Sequence, residues 1–215
     1  MDKTVYDTFM TYLAAEDKAS SVRYAIGLVE DGTITLESLY LELLAPSLSG
    51  FECPFEDEAL CIWKEHIRTS IVRTIIEASY VPLTKRLESV KRLGVSVMVT
   101  TPAFEYHEIG AILNTHLMLL EGFDATYIGA NTPKDEILSA LRTYDPDYLA
   151  LSVTNQYNLV ITKQITEEIR RYFPKTGIIL GGFAFANPHN ASSVPHDKVL
   201  QSLADLKAFA KEVAR

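Results

Sequence analysis

The sequence predicts an α/β protein in two parts: an N-terminal bundle of four or five helices over residues 1–90, and a five-stranded parallel sheet with flanking helices over residues 94–215. Three observations predict it. Apolar residues recur at helical spacing in the first 90 residues, where Gly is scarce (Gly27, Gly32, Gly50). After Gly94, short aliphatic or β-branched runs alternate with amphipathic stretches, the pattern of parallel strands joined by helical crossovers. A length of 215 residues, 47% apolar and 22% charged, is ample for a buried core and close to the globular average.

In the first part, Val22, Ala25, Ile26 and Val29 mark a helix that Ser20 or Ser21 can cap and Asp31-Gly32 ends. A second helix runs through Leu36, Leu39, Leu41, Leu43 and Leu44 and stops near Pro46. The stretch 56–80 contains no Pro or Gly, and Leu60, Trp63, Ile67, Ile71 and Ile75 fit one face of a long helix that Pro82 breaks. Trp63 reads as core or interface. A short basic helix, Lys85 to Arg92, leads into the second part.

There, Val95 to Thr100 (VSVMVT) reads as a buried strand, His107 to Glu121 as a helix and Ala125 to Ile128 as a second strand. Thr132-Pro133 with Asp135 reads as a helix start with its N-cap, a proline and an acidic residue. Leu149 to Val153 is a third strand, and a helix runs from about Leu159 to Tyr172. Ile178 to Leu180 is a fourth strand, ending in Gly181-Gly182. Val199 to Gln201 makes a fifth, followed by a helix from Ala204 to Ala214. This is the alternation of a flavodoxin-like, Rossmann-type sheet, in which ligands sit at the C-terminal ends of the strands.

Composition narrows the function. The net charge of -8 disfavours direct binding to nucleic acid or anionic membrane, where affinity comes from clustered Lys and Arg. Cys53 and Cys61 are too few for a disulfide scaffold or a cysteine-built metal site. The N-terminus MDKTVYDTFM is too polar for a signal peptide, and no apolar run approaches the ~18 residues of a membrane helix. These features predict a soluble, cytoplasmic chain.

Three unusual features fall on the strand ends: Glu105-Tyr106-His107-Glu108-Ile109-Gly110 after the first, Ser152-Val153-Thr154 at the third and Gly181-Gly182 at the fourth. Between Gly110 and Ser152 lie 41 residues, and between Thr154 and Gly181 lie 26. Together they resemble the motif of cobalamin-binding domains: acid-x-His-x-x-Gly, then Ser-x-Leu or Ser-x-Thr, then Gly-Gly, with matching spacings. The acid is usually Asp; Glu105 is the variant that related photoreceptors often carry. The resemblance implies His107 as the lower axial ligand of cobalt, with Glu105 fixing its tautomer. It implies that the displaced nucleotide tail of the cofactor lies beside Gly110, Ser152, Thr154, Gly181 and Gly182. The chemistry suits these residue types: a neutral imidazole is a good cobalt ligand when its second nitrogen is held.

The helical part resembles the cap of light-sensing cobalamin regulators, which carry Trp, nine residues, then Glu-His. Here Glu65-His66 is present, and Phe55 stands where the tryptophan would be. The resemblance implies that Phe55, Ile62 and Glu65 line an adenosyl pocket, and that His66 is the candidate upper ligand once light has broken the cobalt-carbon bond. Those regulators usually begin with a DNA-binding domain, which the 20 or so residues ahead of the predicted cap do not provide. Stand-alone relatives, the photocobilins, suggest a second chromophore, a bilin such as biliverdin, although no motif here can be assigned to it.

The expected function is therefore a light-sensing module that holds adenosylcobalamin and signals through cap movement or altered self-association. The alternative is a corrinoid protein that carries a methyl group between methyltransferase partners. An isomerase subunit ranks below both, since no substrate barrel is present. No nucleophile-base pair or phosphate loop marks the chain as an enzyme on its own. The expected partners are a second copy in a homodimer and a downstream signalling or methyltransferase protein. His116 is read as packing or surface, and His189 and His196 as solvated.

Overall fold

The computed structural model describes residues 1–49 and 58–214. The chain divides into two units, Met1–Glu88 and Ser89–Arg215. The first unit is helical. Helix α1 (Lys3–Ala14), capped by Asp2, precedes the first helix marked by the sequence pattern. Helix α2 (Lys18–Glu30) begins one turn earlier than Val22 implies. Its cap is Asp17, which accepts from the Ser20 N–H at 2.9 Å, rather than Ser20 or Ser21; Ser21 is buried and donates to the Asp17 carbonyl. Asp31 ends the helix, and Gly32 follows at φ +78.

The next helix does not stop at Pro46. Helix α3 (Leu36–Ser38) runs into a π-helical segment, Leu39–Leu44, and on into α4 (Ala45–Ser49). The Ala45 N–H reaches back five residues to the Tyr40 carbonyl, and Pro46, which lacks an N–H, sits in the first turn of α4. Widening the turn ahead of the proline removes the need for its missing bond and relieves the ring from the carbonyl behind it.

Helix α5 (Glu58–Ala78) buries Ile71, Val72, Ile75 and Ile76 in its C-terminal half, whereas Trp63 is 44% exposed and lies outside the core. The apolar stripe of the sequence is thus used over only part of its length. Ser79 turns the chain into α6 (Tyr80–Leu87), with Pro82 in its first turn, so the expected basic helix begins and ends about five residues earlier. At this turn the buried Tyr40 hydroxyl meets the Ser79 hydroxyl at 2.9 Å, and burial pushes the Tyr40 phenol up to about 12.

The second unit is the expected parallel sheet with flanking helices. Its strands are β1 (Ser96–Pro102), β2 (Asp124–Thr132), β3 (Tyr148–Ser152), β4 (Gly177–Gly181) and β5 (Lys198–Val199), in the order β2-β1-β3-β4-β5. All pairs are parallel. The connecting helices are α7 (Ile109–Leu120), α8 (Lys134–Tyr144) and α9 (Leu159–Tyr172), with the short α10 (Pro188–Ser192) before β5 and α11 (Leu203–Val213) after it. β2 continues beyond Ile128 because it stays paired with β1, at a register that shifts on either side of Thr100. Thr132 belongs to this strand and does not cap α8; its hydroxyl lies 2.8 Å from that of Thr100, while Pro133 holds the N-cap position. The core lies beneath β3 and β4, where Leu149, Leu151, Ile178 and Leu180 pack against Ile137 and Leu141 of α8 and Ile165 and Ile169 of α9. In this order the crossovers change direction between β1 and β3, which opens a crevice at their C-terminal ends.

Among the described residues, no helix is long and apolar enough to cross a membrane.

Candidate functional site

The β1–α7 loop starts with a tight turn. The Glu105 N–H donates to the Pro102 carbonyl at 3.0 Å. Of the two central residues only Phe104 has positive φ, +67, so the turn is type II. Glycine is the usual residue at that position; an aromatic there carries about 1–2 kcal/mol of strain. Asn131, at the end of β2, holds the turn: its Oδ1 accepts from the Phe104 N–H at 2.7 Å, and its own N–H donates to the Thr101 hydroxyl (2.9 Å) and the Glu105 carbonyl (3.0 Å). Asn131 itself has φ +51, which asparagine tolerates.

The turn aims Glu105 inward and the residues around it outward. Glu105 is fully buried, while Phe104 and Tyr106 are 71% and 69% exposed. Each Glu105 oxygen has its own set of donors. Oε1 takes the His107 Nδ1 at 2.5 Å and the His107 N–H at 3.2 Å. Oε2 takes the N–H groups of Thr154 (2.9 Å) and Asn155 (2.8 Å) and the Asn158 amide (3.1 Å), all from the loop after β3. Burial pushes the Glu105 carboxyl up, but the bonds from Asn155, His107 and Asn158 outweigh it and hold the group below the ordinary carboxylate value. An ionised carboxylate only accepts, so His107 Nδ1 is the donor in this contact, and the other ring nitrogen, Nε2, has no part in it. The His107 side chain is 64% exposed, so this nitrogen is open to a ligand.

The other strand-end residues sort themselves by what surrounds them. A Cβ at Gly110, in the first turn of α7, would meet nothing within 4 Å. The fold therefore gives no steric reason for glycine there, although glycine weakens a helix. Gly182 is the opposite case: its φ is +94, and a Cβ would stand 2.4 Å from the Val153 carbonyl oxygen. Close contact between the ends of β3 and β4 dictates this glycine. Gly181 pairs with Ser152, and its carbonyl accepts from the Val153 N–H at 2.9 Å. The Ser152 and Thr154 hydroxyls have no hydrogen-bond partner among the described residues.

The structure thus brings Glu105, His107, Gly110, Ser152, Thr154, Gly181 and Gly182 to one edge of the sheet. Ile62, Glu65 and His66 lie on α5 of the helical unit, at a spacing that places them on one helix face, and all three are exposed. Phe55 lies outside the described residues. His116 is buried in α7, and burial pushes its ring down to about 4. His189 is exposed, and His196 bonds the Val194 carbonyl at 2.8 Å. The sequence reading missed Asn131, Asn155, Asn158 and the strained Phe104. Asn131 carried a weak signal, an Asn beside Gly129 at a strand end, a residue type that tolerates positive φ.

These residues fit a cobalt ion carried inside a corrin ring. Such an ion brings its own four equatorial nitrogens and can be held by a single protein ligand. Among the described residues no group of three or more His, Cys, Asp or Glu could hold a bare metal ion, whereas a single imidazole with a fixed tautomer is presented at His107. The open space at Gly110 and the unpartnered Ser152 and Thr154 hydroxyls suit a bulky polar tail passing beside it.

The comparisons with known proteins agree with this chemistry. The family model of the B12 binding domain matches residues 95–204. No curated protein matches the chain in sequence. The fold is similar to that of the monomethylamine corrinoid protein of Methanosarcina barkeri, with a TM-score of 0.81 over 99% of this chain and 100% of that one, at 14% identity. A cobalamin-binding protein from Desulfitobacterium hafniense DCB-2 is similar with a TM-score of 0.53 over 97% of this chain and 98% of that one, at 14% identity. A chain of the methanol:cobalamin methyltransferase complex from Methanosarcina barkeri is similar with a TM-score of 0.51 over all of this chain and 81% of that one, at 15% identity.

Proposed function

Because the chain belongs to the B12-binding domain family, we propose that it is a corrinoid protein that carries a methyl group for a methyltransferase system, with His107 as the residue that would hold the cobalt. The observation that carries this reading is the Glu105–His107 pair at the sheet edge, in a chain whose fold is similar to that of a monomethylamine corrinoid protein. A bound corrinoid supplies a cobalt centre that accepts and gives up a methyl group. The chain's own residues do the rest. Glu105 holds the Nδ1 proton of His107 and orients the ring, leaving Nε2 to face the metal. Asn158 and the Thr154 and Asn155 N–H groups keep Glu105 in place as its fixed acceptor. Ser152 and Thr154 offer hydroxyls to the nucleotide tail, Gly110 leaves space for it, and Gly181 and Gly182 bring the ends of β3 and β4 close together. The partner is a methyltransferase protein.

Loading with hydroxocobalamin, reduction and exposure to a methyl donor tests the proposal. The expected result is a stable protein-bound methylcobalamin that a cognate methyltransferase demethylates. Failure to bind hydroxocobalamin or methylcobalamin while adenosylcobalamin binds well would overturn it.

A second reading, the adenosylcobalamin light sensor, is favoured by Ile62, Glu65 and His66 sharing one exposed face of α5. In that reading His66 would be a further residue able to ligate the cobalt, and a homodimer would transmit the signal in the cytoplasm, with or without a bilin. It predicts that illumination of the adenosylcobalamin-loaded protein changes its association state or moves the helical cap; an unchanged elution volume together with an unchanged protease-digestion pattern in dark and light removes it.

A further inference from the structure

One residue of the loop has no role inside the fold. Phe104 occupies the third position of the type II turn, where glycine is free of strain and a bulky side chain is not. Its side chain is 71% exposed, so core packing does not compensate. The turn needs only the Phe104 backbone, whose N–H donates to Asn131 and whose carbonyl accepts from Asn158 at 3.3 Å. Glycine would supply both groups equally well. The strained aromatic therefore stands three residues from His107, on the same loop, with its side chain exposed. Tyr157, 90% exposed, follows β3 on the neighbouring loop, one residue before the Asn158 that bonds Phe104.

We propose that Phe104 is a corrinoid-contact residue, its ring packing against the apolar surface of the bound cofactor beside His107 and contributing directly to affinity. This rests on the reading of His107 as the cobalt ligand. The turn fixes the ring's anchor between Asn131 and Asn158, so the contact is pre-positioned and costs little ordering when the ligand arrives.

The test combines apo-protein melting with hydroxocobalamin titration followed by absorbance, for the wild type and for Phe104→Gly, Phe104→Ala and Phe104→Leu. Relief of the turn is expected to raise the apo Tm of Phe104→Gly by about 2–4 °C. Phe104→Gly and Phe104→Ala are expected to bind hydroxocobalamin about tenfold more weakly, the loss that follows removal of a buried aromatic. Phe104→Leu keeps an apolar contact and is expected to stay within about threefold of the wild type. The bound spectra should all remain those of a histidine-ligated cobalt. Unchanged affinity in Phe104→Gly and Phe104→Ala would overturn the proposal. So would a variant spectrum in which the cofactor's own base has returned to cobalt, since the effect would then run through His107. If the wild type itself does not bind hydroxocobalamin, the reading of His107 as the ligand fails rather than the assignment of Phe104.

Discussion

Two of the three motif glycines, Gly182 and Gly110, should respond in opposite ways to the same added methyl group. At Gly182 an alanine Cβ would fall 2.4 Å from the Val153 oxygen, 2.8 Å from its nitrogen and 2.9 Å from its carbonyl carbon. These are backbone atoms, tied into the bonds from Val153 to Gly181 and from Ala184 to Val153, so they cannot yield as a side-chain tip would. The positive φ of +94 adds a strain of about 1–2 kcal/mol for any L side chain. The overlap adds about 1–3 kcal/mol, the usual cost of forcing atoms into a packed site. Gly182→Ala should therefore lose about 2–5 kcal/mol, a large part of the ~5–15 kcal/mol that holds a typical domain folded. At Gly110 the Cβ meets nothing within 4 Å, and no positive φ is involved. Gly110→Ala should gain about 0.5–1 kcal/mol from helix propensity and the smaller entropy of its unfolded chain. It should bind hydroxocobalamin about tenfold more weakly, because the methyl group fills space left for the ligand. Urea unfolding of the apo proteins, read by circular dichroism, measures both stabilities. A loss below 1 kcal/mol at Gly182, or any loss at Gly110, would refute the reasoning.

His107→Ala should weaken cobalamin binding by about tenfold or more, or return the cofactor's own base to cobalt, as read from the absorbance spectrum. Asn158→Ala removes a donor from the buried Glu105 and should destabilise the apo protein by about 1–3 kcal/mol in urea. Because burial pushes the His116 ring down to about 4, the unfolded chain binds one more proton than the folded one between pH 6.5 and about 4. Unfolding free energy should thus fall as the pH drops through that window, by up to about 1.4 kcal/mol per pH unit, and His116→Leu should flatten the slope. Glu105 has the opposite chemistry and a lower window: its folded value lies below 4.5, so the stability it contributes is present above pH 4.5 and lost on further acidification, and Glu105→Gln should remove that part of the acid limb.

The parallel sheet was legible because its strands contain short aliphatic or β-branched runs, and α9 even kept the limits its periodicity implies, Leu159 to Tyr172, whereas β2 runs on to Thr132 past the expected Ile128 and β5 pairs only over Lys198–Val199 instead of Val199 to Gln201. The misreadings share a cause. Pro46 and Pro82 look like stops, yet each sits in the first turn of a new helical segment, where its missing N–H is not needed. Thr132 and Ser21 look like caps, but their hydroxyls were taken up by Thr100 and by the Asp17 carbonyl once the chain had folded. At the candidate site, the Glu105–His107 pair is local and could be read directly. Asn131, Asn155 and Asn158 could not, because asparagines are ordinary loop residues until strand order brings three loops together. Nor could the sequence separate Gly110 from Gly182, since what distinguishes them is the presence or absence of neighbouring atoms.

The clamp on Glu105 also dictates when a working site can exist. Its three donors on the far loop lie 49, 50 and 53 residues along the chain, beyond β2, α8 and the whole of β3. A chain emerging from the ribosome has His107 long before it has Asn158, and during that interval the imidazole has a neighbouring carboxylate that nothing yet fixes. Long-range pairings of this kind form late in folding, because loop closure must precede them. The geometry of His107 is therefore a property of the finished sheet, and a half-made or misfolded chain presents no oriented imidazole.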